Sequence, residues 1–517
     1  MFEKTVNLLS EQRAQRGFLL VVLAICAIVS VALSAWCIYI DDVINNDAVE
    51  YIRTAERLAV ADWSGALSAY KWPFYPFLML LVSDILGIAY GPAGYLLNSF
   101  FFTAATLLFV LIVRELGGDS CRLTVFAALV AIAHPAFNEY RAFIIRDAGY
   151  LALFLSAVYC LARYHHVGSL RFRIGVLAGF VVASLFRIEG LVFVFCTPLL
   201  LSITRKQRSM SAWPVLLTLI VAAAVLATIL GWWLLMPDGS VSHQSVLDNP
   251  LQVVTTAWEQ IAASTTAKLT VLRKEFLGKY SSEQAYVLFG FTVVMIIISA
   301  ALTQLTVPWA GLALYGTVNQ PRFPIAGMTP AWVSLVGIHG VVLLVGAAVM
   351  MYLKPRYQLS LSVTALLIVP FAIQRLLEQY SWRQLSVLHR LFVILVLLWG
   401  VGECVSGLDN FTRAAATKDA GHWLVDKVST PGSLVTNDRR VAFYSGRHGD
   451  LQHIVTDVSQ VLHGLRQGEW QDSEYVALRL QRQDLKSEAW VLEALGASPL
   501  KVFSHPKGDK VMVYRRP

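Results

Sequence analysis

Two carboxylates placed next to long apolar stretches are the first candidates for chemistry. Asp47 follows the first apolar stretch, and Asp147 opens a later one after Arg146. A carboxylate at the membrane surface that stays ionised near neutral pH can accept the proton of an acceptor hydroxyl, which is general base catalysis. The alternative for Asp47 is helix capping, because acidic residues at a helix start satisfy backbone N–H groups and favour the helix dipole.

Cations within or beside apolar stretches form the second set of candidates. Arg187 and Glu189 lie inside the apolar stretch Gly175–Ile203. Each charge in a bilayer costs about 2.5–3.5 kcal/mol on insertion scales, so the two predict a polar cavity at a break between short spans, or an ion pair at a loop. Lys354 and Arg356 end a late apolar stretch, where they predict either a phosphate site or cations that snorkel to the interface.

The composition of the chain indicates the class of protein that carries these residues. The chain has 517 residues, of which 56% are hydrophobic and 15% charged, and its mean hydropathy is +0.58. A soluble protein carries roughly 25% charged residues, so the sequence excludes a cytosolic enzyme, a disordered chain and a collagen-like chain. The net charge of +8 is typical of basic cytoplasmic loops and gives little support for nucleic-acid binding. The six cysteines form no CxxC or Cys/His cluster, which argues against a zinc site.

Hydropathy predicts a polytopic α-helical membrane protein of about eleven spans with additional interfacial helices. The spans are placed at 17–40, 94–113, 122–137, 147–163, 174–187, 190–204, 212–236, 285–306, 331–353, 358–374 and 389–405. Basic loops then lie on one side, which predicts a cytoplasmic N-terminus if Pro73–Ala89 is an interfacial or re-entrant helix; a twelfth span is the alternative. The segments 41–72 and 237–283 become outer loops with interfacial helices, and the second holds Lys268, Arg273, Lys274 and Lys279.

The tail has the composition of a soluble domain. Strands are predicted at 433–437, 452–456, 475–480, 500–504 and 511–514, with helices at 458–466 and 485–495. This alternation predicts a small α/β domain at 406–517, outside the membrane, following a transmembrane catalytic domain at 1–405. The chain has no G-x-x-x-x-G-K-[ST] motif, so nothing supports an ATP-driven pump.

Four motifs, in order, resemble a known family. They are Asp47 through Tyr51 and Ala55 to Gly65 with Trp72-Pro73-Phe74-Tyr75-Pro76, then Arg146-Asp147-Ala148-Gly149-Tyr150, Phe186-Arg187-Ile188-Glu189-Gly190, and Lys354-Pro355-Arg356-Tyr357. Residues 1–405 resemble GT-C glycosyltransferases in this layout. The motifs are most similar to the branch that contains protein O-mannosyltransferases and lipid A aminoarabinose transferases. The Pro-rich signal expected after the late Arg-Tyr is weak, since only Pro370 follows.

The resemblance implies a reaction. Such enzymes transfer a single sugar from a polyprenyl-phosphate donor to an acceptor hydroxyl on the outer face of the membrane, with inversion. Asp47 is then the expected base, and Asp147 is a second acidic residue of the catalytic site that positions the acceptor or supports the base. The expected substrate-binding residues are Glu50, Tyr51, Arg146, Arg187, Glu189, Lys354, Arg356 and Tyr357. Because Glu50 lies about one helical turn after Asp47, it is a second candidate for the base.

The resemblance places the protein in a cell (inner) membrane as a multi-pass protein with a periplasmic C-terminal domain. The expected partners are the lipid-linked donor and a lipid, glycan or protein acceptor. No cofactor is expected with certainty, and no metal ligands are assigned, although some relatives use a divalent cation. Two alternatives stay open. A lipid-linked oligosaccharide ligase or polymerase typically has a large late outer loop, and a secondary transporter has paired broken helices in two halves.

Overall fold

The computed structural model describes most of the chain, and its contacts divide it into two compact units. The described residues are 2–118, 120–204, 250–277, 280–319, 323–324, 328–379, 386–406, 408, 415–428, 430, 433–449, 453–455, 457–480, 491, 495–504 and 510–516. The first unit comprises Met1–Ser34, Asn98–Arg141 and Arg146–Leu408. The second comprises Ala35–Leu97, Ala142–Ile145 and Asp409–Pro517. The predicted span 212–236 and the basic loop at Arg205–Arg208 lie outside the described residues.

Helices dominate the chain up to residue 406. They are α1 (Phe2–Ile40), α2 (Asn46–Ala59), α3 (Trp63–Ala69), α4 (Phe74–Leu86), α5 (Tyr90–Gly117), α6 (Cys121–Ala133), α7 (Pro135–Asn138), α8 (Arg146–Val167), α9 (Leu170–Phe186), α10 (Gly190–Thr204), α11 (Pro250–Val271), α12 (Ala285–Leu305), α13 (Val307–Asn319), α14 (Met328–Met350), α15 (Leu359–Leu366), α16 (Val369–Gln379) and α17 (Val387–Ser406). A π-helical turn at Leu272–Phe276 and 3₁₀ turns at Ser282–Gln284 and Pro355–Gln358 complete this part.

Within the described residues, five segments are long and apolar enough to cross a membrane. They are Arg13–Ile40, Tyr90–Gly117, Ser282–Leu305, Met328–Met350 and Pro355–Gln379. Four shorter apolar helices add to them, at Phe74–Leu86, Cys121–Ala133, Gly190–Thr204 and Val393–Ser406. Such segments form helices in a bilayer, because every backbone polar group must be hydrogen-bonded within the segment. The total of eleven spans and the interfacial placement of Pro73–Ala89 stay predictions.

Several helix bounds differ from the predicted ones for local reasons. The predicted span 122–137 is divided at His134, whose ring accepts a hydrogen bond from the Ala136 N–H at 3.0 Å and caps α7. Pro135 then starts the new helix, since it has no N–H to continue the old one. Pro370 acts similarly between α15 and α16. Helix α13 was not predicted; it begins just after Thr306, whose φ of 56° redirects the chain.

The tail forms a four-stranded mixed sheet with helices on both faces. Its elements are α18 (Ala415–Leu424), β1 (Leu434–Thr436), α19 (Arg439–Tyr444), α20 (Val458–Arg466), β2 (Tyr475–Leu480), β3 (Lys501–Ser504) and β4 (Lys510–Arg515). The strand order is β1-β2-β4-β3, with β1 parallel to β2 and the other pairs antiparallel. Alternate residues of β2 enter two cores: Ala477 packs with α18 and α19, whereas Val476 and Leu478 pack with α20. The tail is therefore α/β, and the limits 1–405 and 406–517 stay a prediction.

Candidate active site

Arg187 is the centre of a buried ion-pair network in the first unit. Its Nη1 donates to Asp147 Oδ1, while its Nη2 and Nε donate to the two oxygens of Glu189 at 2.5 and 3.3 Å. The side chains of Arg187 and Asp147 are 8% and 6% exposed, and that of Glu189 is 30% exposed. The charge of Arg146, the first residue of α8, also acts on Glu189. Four of the predicted site residues are thus brought together.

A sharp turn between α9 and α10 presents Arg187 to this network. The chain becomes extended at Arg187, with φ −146° and ψ 132°, and α10 begins again at Gly190. A Cβ at Gly190 would lie 2.7 Å from the Ser184 backbone, so the turn closes only with glycine. At Gly149, a Cβ would lie 2.1 Å from the Phe186 ring, and glycine therefore allows α8 to approach the end of α9. Gly149 and Gly190, each from a different predicted motif, thus allow Asp147 and Arg187 to lie within contact distance.

Two tyrosine rings cover the guanidinium of Arg187. Its Cζ lies 4.8 Å from the ring centroid of Tyr357 and 5.8 Å from that of Tyr150. The Cζ of Arg356 lies 5.5 Å from the Tyr357 centroid, so this ring contacts two guanidinium groups. Such cation–π contacts strengthen when they are desolvated. The late Arg-Tyr motif therefore joins the network, whereas Lys354 beside it is exposed.

The network determines what each cation can do. All the nitrogens of Arg187 that carry a hydrogen bond donate to carboxylates, which favours the ion-pair interpretation of this residue over direct substrate binding. Arg356 is half-buried in the 3₁₀ turn that follows α14, and Lys354 is exposed at the start of that turn. A guanidinium presents a fork that matches two phosphate oxygens. Arg356 and Lys354 stay the predicted partners of a phosphate group.

Sequence reasoning missed two charged residues of the first unit. Arg141 is fully buried, and its Nη1 donates to the Ser30 carbonyl, Ser30 Oγ and Ser34 Oγ at 2.9, 2.9 and 2.8 Å. Glu139 accepts from Gln304 Nε2 at 3.4 Å, and burial raises the pKa of this carboxyl. Ser30 and Ser34 lie four apart on one face of α1, which lets both hydroxyls reach the same guanidinium group.

Asp47 lies in the first turn of α2, in the second unit, and is half-buried. The N-cap residue of this helix is Asn45 and not Asp47, which weakens the capping interpretation. Asn45 holds the helix start through its amide, which accepts from the Ile144 N–H at 2.8 Å and donates to the Ile144 carbonyl at 3.1 Å. The start of α2, with Asp47, is therefore fixed to the segment Ala142–Ile145 of the same unit.

The other two predicted residues of α2 have structural contacts. Glu50 pairs with Arg53 at 3.0 Å through one oxygen and with Arg439 at 3.2 Å through the other, and its side chain is 12% exposed. The Tyr51 ring packs edge-on against the rings of Tyr70 and Tyr75, with centroids 5.1 and 5.2 Å apart. Both contacts give these residues a role in packing, while their binding of substrate stays a prediction.

The tail helps to hold α2, so this helix is not simply an amphipathic helix on the membrane surface. Its buried side chains include polar ones, Arg53 and Thr54, because α3, α4 and α19 all pack against it. His448 bonds the Glu56 carboxylate at 3.0 Å. The Tyr444 hydroxyl accepts from the Ile44 N–H at 2.8 Å. Residues of the tail thus contact the segment on both sides of Asp47.

Asp41, directly after α1, provides a pH-dependent prediction. Burial raises the pKa of this carboxyl to about 6 from 3.8, with a smaller rise from Asp42 and opposing effects from the Val43 N–H and Arg440. Because the folded pKa is the higher one, this group favours folding below pH 4, and that contribution falls as the pH rises through 6. We expect Asp41→Asn to stabilise the protein at pH 8 by on the order of 3 kcal/mol and to change little at pH 4.

Thermal unfolding of the purified protein in detergent, followed at both pH values, measures this effect. The matched control is Asp42→Asn, since the Asp42 side chain is 61% exposed. An equal change of Tm at pH 4 and pH 8 in the Asp41 variant would contradict the assignment.

No cluster for a metal ion is found among the residues described. Groups of three or more His, Cys, Asp or Glu side chains in suitable positions are absent from that part of the chain. The ion-paired carboxylates Asp147 and Glu189 already have a cation partner in Arg187. A divalent cation stays an expectation from the family resemblance alone.

Comparison with known proteins identifies the architecture. No family model and no curated protein matches the sequence. The structure is similar to ArnT from Cupriavidus metallidurans, a lipid A aminoarabinose transferase, bound to undecaprenyl phosphate, at 15% identity over 96% of this chain and 98% of that chain with a TM-score of 0.51. The apo state of the same ArnT matches at 14% identity over 97% and 98%, with a TM-score of 0.52. This chain has the GT-C fold. The resemblance inferred from the four motifs is thereby confirmed at the level of the fold.

A third GT-C structure is also similar. It is the oligosaccharyltransferase of Archaeoglobus fulgidus tethered with an acceptor peptide, at 13% identity over 80% of this chain and 57% of that chain, with a TM-score of 0.47.

Proposed function

We propose that this GT-C protein transfers a single sugar from a polyprenyl-phosphate donor to an acceptor hydroxyl on the outer face of the membrane, with inversion at the anomeric carbon. The observation that carries the proposal is the likeness to ArnT over almost the full length of both chains. One of those ArnT structures is bound to undecaprenyl phosphate, a lipid of the proposed donor class. The four motifs and their order along the chain support the same reaction.

The chemistry of the leaving group explains the need for cations. A polyprenyl phosphate departs with additional negative charge, so a cation at its oxygens stabilises the transition state more than the ground state. Arg356 and Lys354 are the proposed partners of this phosphate. The Tyr357 ring contacts the guanidinium groups of both Arg356 and Arg187, and it is proposed to help position the former.

Inversion needs one base on the side opposite the leaving group, as in inverting glycoside hydrolysis. Asp47 is the proposed base because it lies in the first turn of a helix whose start is held by Asn45. Glu50, which pairs with Arg53 and Arg439, is the second candidate. Asp147 is proposed to support the site through its ion pair with Arg187. We place the N-terminus in the cytoplasm and the tail in the periplasm of a cell with an inner membrane.

A transfer assay tests the proposal. Purified protein in detergent or nanodiscs is incubated with radiolabelled polyprenyl-phosphate sugars and with membranes as the source of acceptor. The expected result is movement of label from the donor to an acceptor with release of polyprenyl phosphate. Absence of transfer from every monosaccharide donor, together with transfer from a lipid-diphosphate oligosaccharide, would support the ligase alternative instead.

Arg356→Ala is expected to weaken donor binding by about 10- to 100-fold, because a hydrogen bond to a charged group contributes about 1.5–3 kcal/mol. Arg356→Lys keeps the charge but loses the fork, so we expect an intermediate affinity. The measurement is equilibrium binding of labelled polyprenyl phosphate. Arg375→Ala in α16, predicted to face the cytoplasm, is the control and should bind as wild type. Equal donor affinity of Arg356→Ala and wild type would remove this residue from the phosphate site.

A further inference from the structure

A cleft in the tail has the features of a small-ligand site. Its volume is about 630 Å³, and its lining includes Ser459, Gln460, His463, Arg466, Glu469 and Trp470. Sites for small molecules typically enclose about 300–1,000 Å³ and combine an apolar surface with a few polar groups. The cleft takes no part in the chemistry proposed above, and all its lining residues belong to one compact unit.

Trp470 is held in an unusual backbone conformation at this cleft. Its φ is 53°, in the left-handed region that side chains other than glycine rarely adopt. The carbonyl of Trp470 accepts hydrogen bonds from the Ser473 N–H at 3.0 Å and from Arg516 Nη1, which also donates to the Glu469 carbonyl at 3.1 Å. Strained residues of this kind persist only where the surroundings fix them, and they occur preferentially at ligand sites.

Gly464 makes room for the indole ring on the surface of α20. A Cβ at this position would lie 2.5 and 2.6 Å from two atoms of the six-membered ring of Trp470. The ring is half-buried and also packs against the core formed by Val461 and Leu462. One part of the indole is therefore fixed by the protein, while the rest lines the cleft as a preformed aromatic surface.

The polar groups around this surface are neutral overall. Arg466 and Glu469 contribute opposite charges, so the cleft has no excess of cations for a phosphate. Ser459, Gln460 and His463 lie on exposed positions of α20, and His463 Nε2 is 2.9 Å from Gln467 Nε2. A flat aromatic ring with several hydrogen-bonding side chains matches a sugar ring, whose C–H face is apolar and whose edge carries hydroxyls.

We propose that this cleft binds a saccharide ring of the acceptor, so that the acceptor is a glycan or a glycosylated lipid. The proposal rests on the proposed transferase function for its role in the reaction. Binding itself is independent of transfer and is measured without a donor. The Trp470 ring stacks on the sugar, and α20 supplies the hydrogen bonds to its hydroxyls.

The test is titration of the purified full-length protein with methyl glycosides of glucose, galactose, mannose and N-acetylglucosamine and with lactose and chitobiose, by calorimetry and ligand-observed NMR. At least one of these probes is expected to bind wild type. Trp470→Leu keeps an apolar packing residue but loses the flat ring, so its affinity should fall at least tenfold. His463→Ala, an exposed substitution, should weaken binding by a smaller factor.

Two matched controls separate the cleft from general effects on the tail. Gly464→Ala pushes the indole ring and should weaken binding, whereas Gly449→Ala, with no atom within 4 Å of its added Cβ, should not. Trp423→Leu alters a half-buried tryptophan beside the other core of the sheet and should bind as wild type. Binding by Trp470→Leu equal to wild type, or no binding of any probe by wild type, overturns the proposal.

The Asp47→Asn variant distinguishes this inference from the proposed function. It should bind the probes as wild type does even though its sugar transfer is expected to be slowed by about 10²- to 10⁴-fold. Loss of probe binding in Asp47→Asn would place the observed binding at the transfer site and contradict a separate saccharide cleft. Probe binding at the cleft without any sugar transfer by wild type would support the saccharide cleft and reject the proposed transferase function.

Discussion

Asp47→Asn is expected to slow sugar transfer by about 10²- to 10⁴-fold while donor binding stays within a factor of two, because a general base contributes rate enhancement of that size. The asparagine keeps the shape of the side chain and cannot accept the proton of the acceptor hydroxyl. The helix start should stay folded, since Asn45 and its two hydrogen bonds to Ile144 hold it. The measurements are the single-turnover transfer rate and equilibrium binding of labelled donor.

Two neighbouring carboxylates give matched controls for this variant. Asp42→Asn lies in the same loop on a side chain that is 61% exposed, and it should transfer at the wild-type rate. Glu50→Gln loses its pairing with Arg53 and Arg439, so it should lower the Tm but keep transfer per folded molecule. Wild-type turnover by Asp47→Asn, or a chemical defect in Glu50→Gln at unchanged Tm, would move the base to another residue.

Arg187→Ala is expected to destabilise the protein by about 3–5 kcal/mol, because it leaves the buried carboxylates of Asp147 and Glu189 without their partner. The Tyr357 ring also loses a guanidinium 4.8 Å from its centroid, which loosens the turn that carries Arg356. Transfer should therefore be lost together with stability. Fluorescence-detected gel filtration after heating measures the first effect, and the transfer assay measures the second.

A paired variant separates structure from function in this network. Arg187→Gln combined with Asp147→Asn removes both charges of the more buried pair and leaves only Glu189, whose side chain is 30% exposed, without its partner, so stability should return part of the way toward that of wild type. We expect this protein to remain defective in transfer. Ile188→Ala, at an exposed position in the same turn, should match wild type in both measurements. A stable and fully active double variant would show that the ion pair is structural only.

Local patterns predicted several elements with their bounds. The segments 190–204, 458–466 and 475–480 are observed as α10, α20 and β2 at the predicted residues. In these cases the apolar pattern and the flanking turn residues agree with the tertiary structure, and β2 in addition pairs with β1 and β4. The division of 122–137 and the presence of α13 were missed, because both depend on a backbone break of one or two residues, at His134 and at Thr306.

The candidate site also depends on contacts that local sequence patterns do not predict. The sequence indicated that Asp147, Arg187 and Glu189 were unusual, since charges beside apolar stretches are costly and need a reason. Spacing along the chain gave no means to pair them, and Asp147 bonds a residue 40 positions away. The contact depends on the two glycines, Gly149 and Gly190, which let the helices meet closely enough.

The sequence by itself determined that this is a helical membrane protein with an α/β tail, and it marked the carboxylates and cations on which a transferase would depend. Composition and hydropathy suffice for that, because a bilayer accepts helices and penalises unpaired charge wherever they occur in the chain. Only the tertiary structure decided which charges pair, that Glu50 and Tyr51 serve packing around Asp47, and that Trp470 lines a cleft. Those outcomes depend on contacts between segments that are distant in sequence, and hydropathy carries no information about them.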